Sequence, residues 1–330
     1  SDVTLTQHAT NNIWHPDDSN HDDVVSLDGM ADGSAVVTYS INLVADVLDA
    51  DGDSAEASLS LTQEVDVEGT AQRIFNFGDD GPTAASATAI SSLTEDQLNS
   101  FELSVDESIN VNAPADNAGD RVSTADFSSV FKSIDSSGNT GVGNSSYGTD
   151  GAGSTAYELS LTGAGGATLS NAALSAGVGS GIYALDSSDT ETTIDGLGQG
   201  DEILLFVNSS TGDIEGRTGS ATGDLYFTVS SANASVTLEQ SAENIWHPNT
   251  SDHDDTVSLD GMGGESSSIT YNINLVQTIT DADGDSASSA LNLTEANNSG
   301  STTEYVFNFD DAGPTAASAT AISSLTEDQL

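Results

Sequence analysis

Asp49-Ala50-Asp51-Gly52-Asp53 places three carboxylates on alternate residues, with a glycine that permits a tight turn. The same five letters return as Asp281-Ala282-Asp283-Gly284-Asp285. Hard oxygens at this density suit Ca²⁺, which takes about six to eight oxygen ligands. The spacing resembles the start of a helix-hand calcium loop but departs from it: glycine stands fourth, and the twelfth position is Ser60 or Asn292 where that loop needs glutamate. A solvated hairpin turn is the competing reading, since Asp and Gly are ordinary turn residues.

Further acidic pairs stand at expected module ends. These are Asp79-Asp80 before Gly81-Pro82, Asp310-Asp311 before Gly313-Pro314, and Asp106-Glu107. Carboxylates of adjoining modules could share an ion there, or only keep a linker soluble. A third constellation is Trp14-His15-Pro16 with His21-Asp22-Asp23, which returns as Trp246-His247-Pro248 with His253-Asp254-Asp255. Histidine beside aspartate suits a transition metal, and tryptophan beside carboxylates suits a sugar ring. The second copy carries Asn249 and Thr250 in place of Asp17 and Asp18, which weakens a metal reading. The alternative is a structured loop with the tryptophan as a core anchor.

The chain around these residues has 330 residues, 53 acidic and 4 basic, for a formal net charge of −49. Such a surface repels phosphate backbones and anionic lipid headgroups, so neither nucleic acid nor membrane insertion is expected. Cysteine is absent, which removes disulfides, thiolate zinc sites and a cysteine nucleophile. High charge with 5% aromatics points toward disorder. The patterned apolar residues point the other way, and bound divalent cations would offset the self-repulsion. No G-x-S-x-G elbow, H-E-x-x-H or P-loop occurs, and the expectation is a protein without enzymatic activity. The opening Ser1-Asp2-Val3-Thr4 does not read as a signal peptide, and the chain reads as a window on a longer array.

The array follows from an internal repeat. Val25–Met30, Asp49–Ala55 and Gly81–Leu98 recur 232 positions later, the last without a change. Upstream of the tryptophan the offset is 233, with Val3-Thr4-Leu5 matching Val236-Thr237-Leu238. Segments 1–98 and 233–330 are therefore copies, and segment 99–232 occurs once. Arrays of this kind serve reach, spacing or multivalency.

Apolar residues alternate with period 2 in 36–43, 57–61, 157–161, 203–207, 225–229 and 305–309, which predicts strands. Short strands punctuated by Gly, Asn, Asp and Ser favour an all-β fold of antiparallel β-sandwich modules joined by short acidic linkers. One short helix is predicted where Phe127, Val130, Phe131 and Ile134 fall on one face, capped by Ser123 or Thr124. The Ala/Ser/Thr stretch up to Leu98 reads as a linker or a first strand.

The order of motifs carries a resemblance. It runs Val105-Asp106-Glu107-Ser108, Tyr147-Gly148-Thr149-Asp150-Gly151-Ala152-Gly153-Ser154, Asp224–Val229, Val236–Gln240, Trp246-His247-Pro248, Asp281–Ala287 and Phe309–Pro314. This resembles the tandem extender repeat of giant RTX-type adhesins that Gram-negative bacteria export by type I secretion. One whole unit covers about 104–314, and residues 1–82 match the C-terminal part of another. The resemblance implies immunoglobulin-like β-sandwich modules and structural calcium at turns and joints. It implies a role in holding a distal ligand-binding tip away from the cell. The expected partners are the neighbouring repeats of the same chain, in a monomer, with glycan as the alternative that the Trp-His-Pro loop offers. The resemblance also implies an extracellular, cell-surface location, where calcium is millimolar. The nonapeptide G-G-x-G-x-D of such proteins is absent. Extra sequence around 111–140 leaves open whether one or two sandwiches form per unit.

Overall fold

The computed structural model describes residues 2–8, 13–15, 24–27, 39–62, 65–67, 70–106, 121–135, 144–190, 196–241, 244–249, 255–259, 271–300 and 303–311. Strands dominate, and nearly all paired strands are antiparallel. The fold is all-β and of sandwich type, as the period-2 pattern predicts. No described helix is long and apolar enough to cross a membrane.

The chain divides into two units, each drawn from separated stretches. One takes Ala89–Ser128, Glu158–Leu275 and Leu291–Leu330. Its main layer is a six-stranded antiparallel sheet in the order Val178–Leu185, Gln199–Val207, Ile214–Thr218, Leu225–Ala232, Ser235–Gln240, Val122–Asp126. Alternate residues Ile203, Leu205, Ile214, Phe227, Val229, Val236 and Leu238 are fully buried on one face. This is the alternation that a half-buried strand imposes. A second layer, Thr256–Ser258, Phe307–Asp310 and Leu103–Asp106, buries Val257, Phe307, Phe309, Leu103 and Val105. Phe227 of the first layer meets Phe309 of the second at 5.1 Å between ring centroids, so two sheets share one core.

The other unit takes Ser1–Thr88, Ser129–Tyr157 and Val276–Ala290. It holds the hairpin Asn42–Leu48 with Ser54–Ser60, called the first hairpin below. It also holds a short pair, Val24–Ser26 with Asn76–Gly78. Thr83 and Ser146 exchange backbone bonds of 2.9 and 2.8 Å. The repeat-related second hairpin, Tyr271–Asp281 with Ser286–Asn292, gains a third strand, Ala152–Gly163, beside Tyr271–Asp281. Within the present unit Tyr157 Oη accepts from Gln277 Nε2 at 2.7 Å.

Two local readings need correction. The helix predicted over 127–134 is only a 3₁₀ turn, Ser128–Val130, and Ile134 lies in a strand pairing with Ser145. Ser123 and Thr124, read as caps, sit inside the strand Val122–Asp126. The i, i+3, i+4, i+7 pattern arises because a buried strand end (Phe127, stacked on Phe101 at 5.0 Å) runs into a turn that buries Val130 and Phe131. Asp126 starts that turn by accepting Ser128 N–H at 2.8 Å. The stretch up to Leu98 is neither plain linker nor strand. It closes with a 3₁₀ turn, Ile90–Ser92, and a one-turn helix, Glu95–Leu98, whose Thr94 and Gln97 form a capping box.

Candidate metal centre

The D-x-D-G-D motif first does a structural job. In both copies one oxygen of the leading aspartate closes the turn. Asp49 Oδ1 accepts N–H groups of Asp51, Gly52 and Asp53 at 3.3, 3.1 and 2.9 Å. Asp281 Oδ1 accepts those of Gly284 and Asp285 at 3.1 and 2.9 Å. The glycine adopts positive φ in each, +99° at Gly52 and +119° at Gly284, a region that other residues avoid. The hairpin-turn reading of the motif is therefore correct for one oxygen per copy.

The remaining oxygens separate the copies. Asp49, Asp51 and Asp53 are exposed, although their carboxylates face one another. Asp281 and Asp285 are buried and Asp283 half-buried, and one oxygen from each lies within 4.8 Å of the others. Asp79 and Asp150 converge on the same Asp283, again with oxygens within 4.8 Å. Five carboxylates thus form two groups sharing Asp283, all within one unit of the fold. Oxygens on opposite sides of a calcium ion lie about 4.8 Å apart, given Ca–O distances of roughly 2.4 Å.

Asp79 follows the strand Asn76–Gly78, and its Oδ1 accepts Asp80 N–H at 2.8 Å. Asp150 sits on a turn laid against 80–83. Thr149 N–H donates to Asp80 O at 3.2 Å, and Gly148 lies so close that a Cβ would stand 2.0 Å from Asp80 O. Just beyond, a Cβ on Gly153 would stand 1.9 Å from Asp281 O. Backbone cannot yield as a flexible side chain does. Gly153→Val is therefore expected to cost about 1–3 kcal/mol of stability as an overpacking change, read by urea denaturation. Gly165→Ala, at positive φ but with open space around it, serves as the comparison. A loss at position 153 no greater than at 165 would show that the close approach is not needed.

Asp79 Oδ2, Asp150 Oδ2, Asp281 Oδ2 and Asp283 Oδ1 are buried and have no hydrogen-bond partner among the described residues. Asp283 Oδ2 accepts a long bond, 3.4 Å, from the backbone N–H of His15. Burial pushes the Asp150 carboxyl up to about 7, with further upward contributions from Asp79, Asp283 and Asp281. Burial and the neighbouring Asp283 push Asp281 up to about 6, against turn N–H groups that pull it down. Carboxylates gathered this way repel one another unless protons or a cation intervene. The donor set, all oxygen with no sulfur or imidazole, fits a hard divalent ion such as Ca²⁺.

The other sequence candidates lie elsewhere. Asp80 has an exposed side chain and does not join the group. Asp310 is held by hydroxyls: Oδ1 accepts Thr256 Oγ1 at 2.7 Å, and Oδ2 accepts Ser104 Oγ. Asp106 is its cross-strand neighbour, and Asp311 N–H donates to Asp255 O at 3.0 Å. Glu107, Asp22, Asp23 and Asp254 lie outside the described residues. His15 is buried. His247 is half-buried as a residue but its side chain is only 5% exposed, with Nδ1 3.7 Å from Asp255 Oδ1, beyond hydrogen-bond length. Burial lowers its pKa, while Asp311, Asp255 and Asp310 oppose that shift. Trp246 is a core anchor: only 5% exposed, it donates Nε1–H to Leu197 O at 2.9 Å and stands edge-on to Tyr183. Trp14, its counterpart, is 58% exposed.

Asp150 is the one member of the group that the motif search passed over. Its signal was the run Gly148-Thr149-Asp150-Gly151-Ala152-Gly153, where glycines on both sides mark close backbone approach.

Fold and site together define an all-β sandwich-type protein with a buried, oxygen-only candidate cation centre. Residues 102–294 match the family described as a domain of unknown function (DUF5801). The chain belongs to that family. No curated protein and no solved structure matches it.

Proposed function

We propose that the chain is a calcium-stabilised, non-enzymatic extender of a large bacterial surface adhesin, holding a distal ligand-binding region away from the cell. The observation that carries this reading is the convergence of Asp79, Asp150, Asp281, Asp283 and Asp285, with four buried oxygens that lack partners among the described residues. These carboxylates come from the end of one repeated segment, from the single-copy segment and from the next repeated segment. An ion held there fastens three parts of the repeat period to one another. The tandem repeat and the motif order that resembles adhesin extenders supply the rest of the reading. The burial of Trp246 favours a packing role for the Trp-His-Pro loop over a glycan-binding one.

Calcium titration of metal-stripped protein tests the reading. The expected result is a melting temperature several degrees higher with calcium than with EDTA, and a smaller, narrower distribution of dimensions in small-angle scattering. Unchanged melting and unchanged dimensions would overturn it.

A further inference from the structure

The two copies of the repeated segment share sequence but not burial. Val236 and Leu238 lie in a central strand and are fully buried, whereas Val3 and Leu5, their equivalents, are exposed. Ile279 and Leu291 are 0% and 1% exposed, whereas Val47 and Leu59 are 66% and 60% exposed. Ile41 and Tyr39 are exposed where Ile273 and Tyr271 are buried. The local copy itself is intact. Tyr39 Oη donates to Leu27 O just as Tyr271 Oη donates to the equivalent Leu259 O.

What differs is the cover, and in the second copy the cover comes from segment 99–232. The strand Ala152–Gly163 lies beside Tyr271–Asp281. The strands Leu225–Ala232 and Val122–Asp126 flank Ser235–Gln240. Tyr271 Oη also reaches Ser180 O, and Trp246 packs over Gly196 and Gly198. Among the described residues none of these partners has a counterpart beside the first hairpin, which is a two-stranded sheet. An apolar surface of this kind, on an otherwise acidic chain, marks an interaction site.

We propose that residues 3–7, Trp14 and the first hairpin form a docking surface for a second copy of the 99–232 segment, seated as that segment seats on the second hairpin. The occupant is fixed by complementarity already present in this chain: the corresponding strands, with Leu43, Val44 and Leu59 recurring as Leu275, Val276 and Leu291 and Val47 replaced by Ile279, take this segment 232 positions later. Its equivalent of Ala152–Gly163 lies along Asn42–Leu48, its equivalents of Leu225–Ala232 and Val122–Asp126 flank residues 3–7, and its equivalent of the Gly196–Gly198 turn covers Trp14. The inference does not rest on the calcium reading, because it concerns apolar burial.

The test lengthens the chain by a second copy of residues 99–233 placed directly before Ser1, in phase with the 233-residue offset upstream of the tryptophan. The added segment brings no tryptophan, so in a Trp246→Phe background Trp14 is the sole reporter. The expected result, with calcium and with EDTA alike, is Trp14 emission at shorter wavelength and acrylamide quenching several-fold weaker than in the 330-residue chain. Peptides from 42–60 should gain hydrogen-exchange protection to the level of 274–292. Gly196→Val in the added copy, where a Cβ would stand 2.8 Å from the tryptophan ring, should return Trp14 to solvent. Exposed Trp14 and an unprotected 42–60 in the lengthened chain would overturn the proposal, whether or not circular dichroism shows the added segment folded. So would burial that survives the Gly196→Val change, or concentration-dependent burial in the unlengthened chain, which would mean that the surface pairs with itself.

Discussion

Asp283→Asn should abolish most of the stabilisation that calcium confers, while Asp51→Asn, the same change 232 positions earlier, should leave it intact. Asp283 is the carboxylate common to both groups, one with Asp79 and Asp150 and the other with Asp281 and Asp285. An ion that binds only the folded state stabilises it by about 2.7 kcal/mol at 100 times Kd and about 4.1 kcal/mol at 1,000 times Kd. The expected loss at position 283 is therefore on the order of 3–4 kcal/mol at saturating calcium. Asp51 belongs to the exposed copy, where a surface substitution shifts stability by about 0.5 kcal/mol or less. In EDTA the order reverses: Asp283→Asn should be more stable than the parent, because Asp150 and Asp281 lose a like-charged neighbour. Denaturant melts of the three proteins, each with calcium and with EDTA, read all of these differences. If Asp283→Asn behaves as Asp51→Asn in both conditions, the buried group is not a cation centre.

Calcium should also invert the pH dependence of stability. Without the ion, the folded chain holds Asp150 and Asp281 at about 7 and about 6, against an ordinary value of 3.8. Between roughly pH 4 and pH 7 the folded state keeps protons that the unfolded chain has released, so stability falls as pH rises through that window. Below the window the contribution is fully present, and above it the contribution is gone. With calcium bound, the same carboxylates are held ionised and their folded pKa values drop below the unfolded ones, so stability rises with pH. Other groups add slopes of their own. Burial raises Glu102, which acts in the sense of metal-free Asp150, and lowers His247, whose neutral burial destabilises the fold as pH drops below about 6.5. Neither belongs to the carboxylate group, so both cancel in the difference between calcium and EDTA curves. That difference should grow steadily from pH 4 to pH 8. A difference that stays flat across this range would remove Asp150 and Asp281 from the ion's shell.

Much of this was legible in the residues. Period-2 runs marked strands where one face is buried, as at Leu159 and Leu161 or Ile203 and Leu205. But the run 36–43 reaches strand only at 42–43, with 36–38 outside the described residues, and the run 305–309 only from Phe307. The D-x-D-G-D motif marked its turn because glycine and a capping carboxylate leave few other conformations. Nothing local distinguished Asp281–Asp285 from Asp49–Asp53, since what buries the second copy is supplied by Asp79, Asp150 and the strand Ala152–Gly163, all remote in sequence. The 127–134 stretch misled for the opposite reason. A four-residue apolar pattern is short enough to be satisfied by a strand end and a turn. Trp246 illustrates a middle case: the motif showed a special residue, and only its packing over Gly196 and Gly198 showed that its task is cohesion.

The carboxylates of the buried group are strung from residue 79 to residue 285. Such a site cannot assemble piecemeal while the chain is still emerging or collapsing. Its two long intervening loops must close first, at an entropic cost that rises slowly with length, about 0.6 kcal/mol per doubling. Ion capture is then a late event in folding, after the turn that carries Asp150 and the strand that ends at Asp281 are in place. Early intermediates would be indifferent to calcium, and the ion would act mainly as a latch that slows unfolding. Its signature would be an unfolding rate that falls with calcium while the folding rate hardly moves.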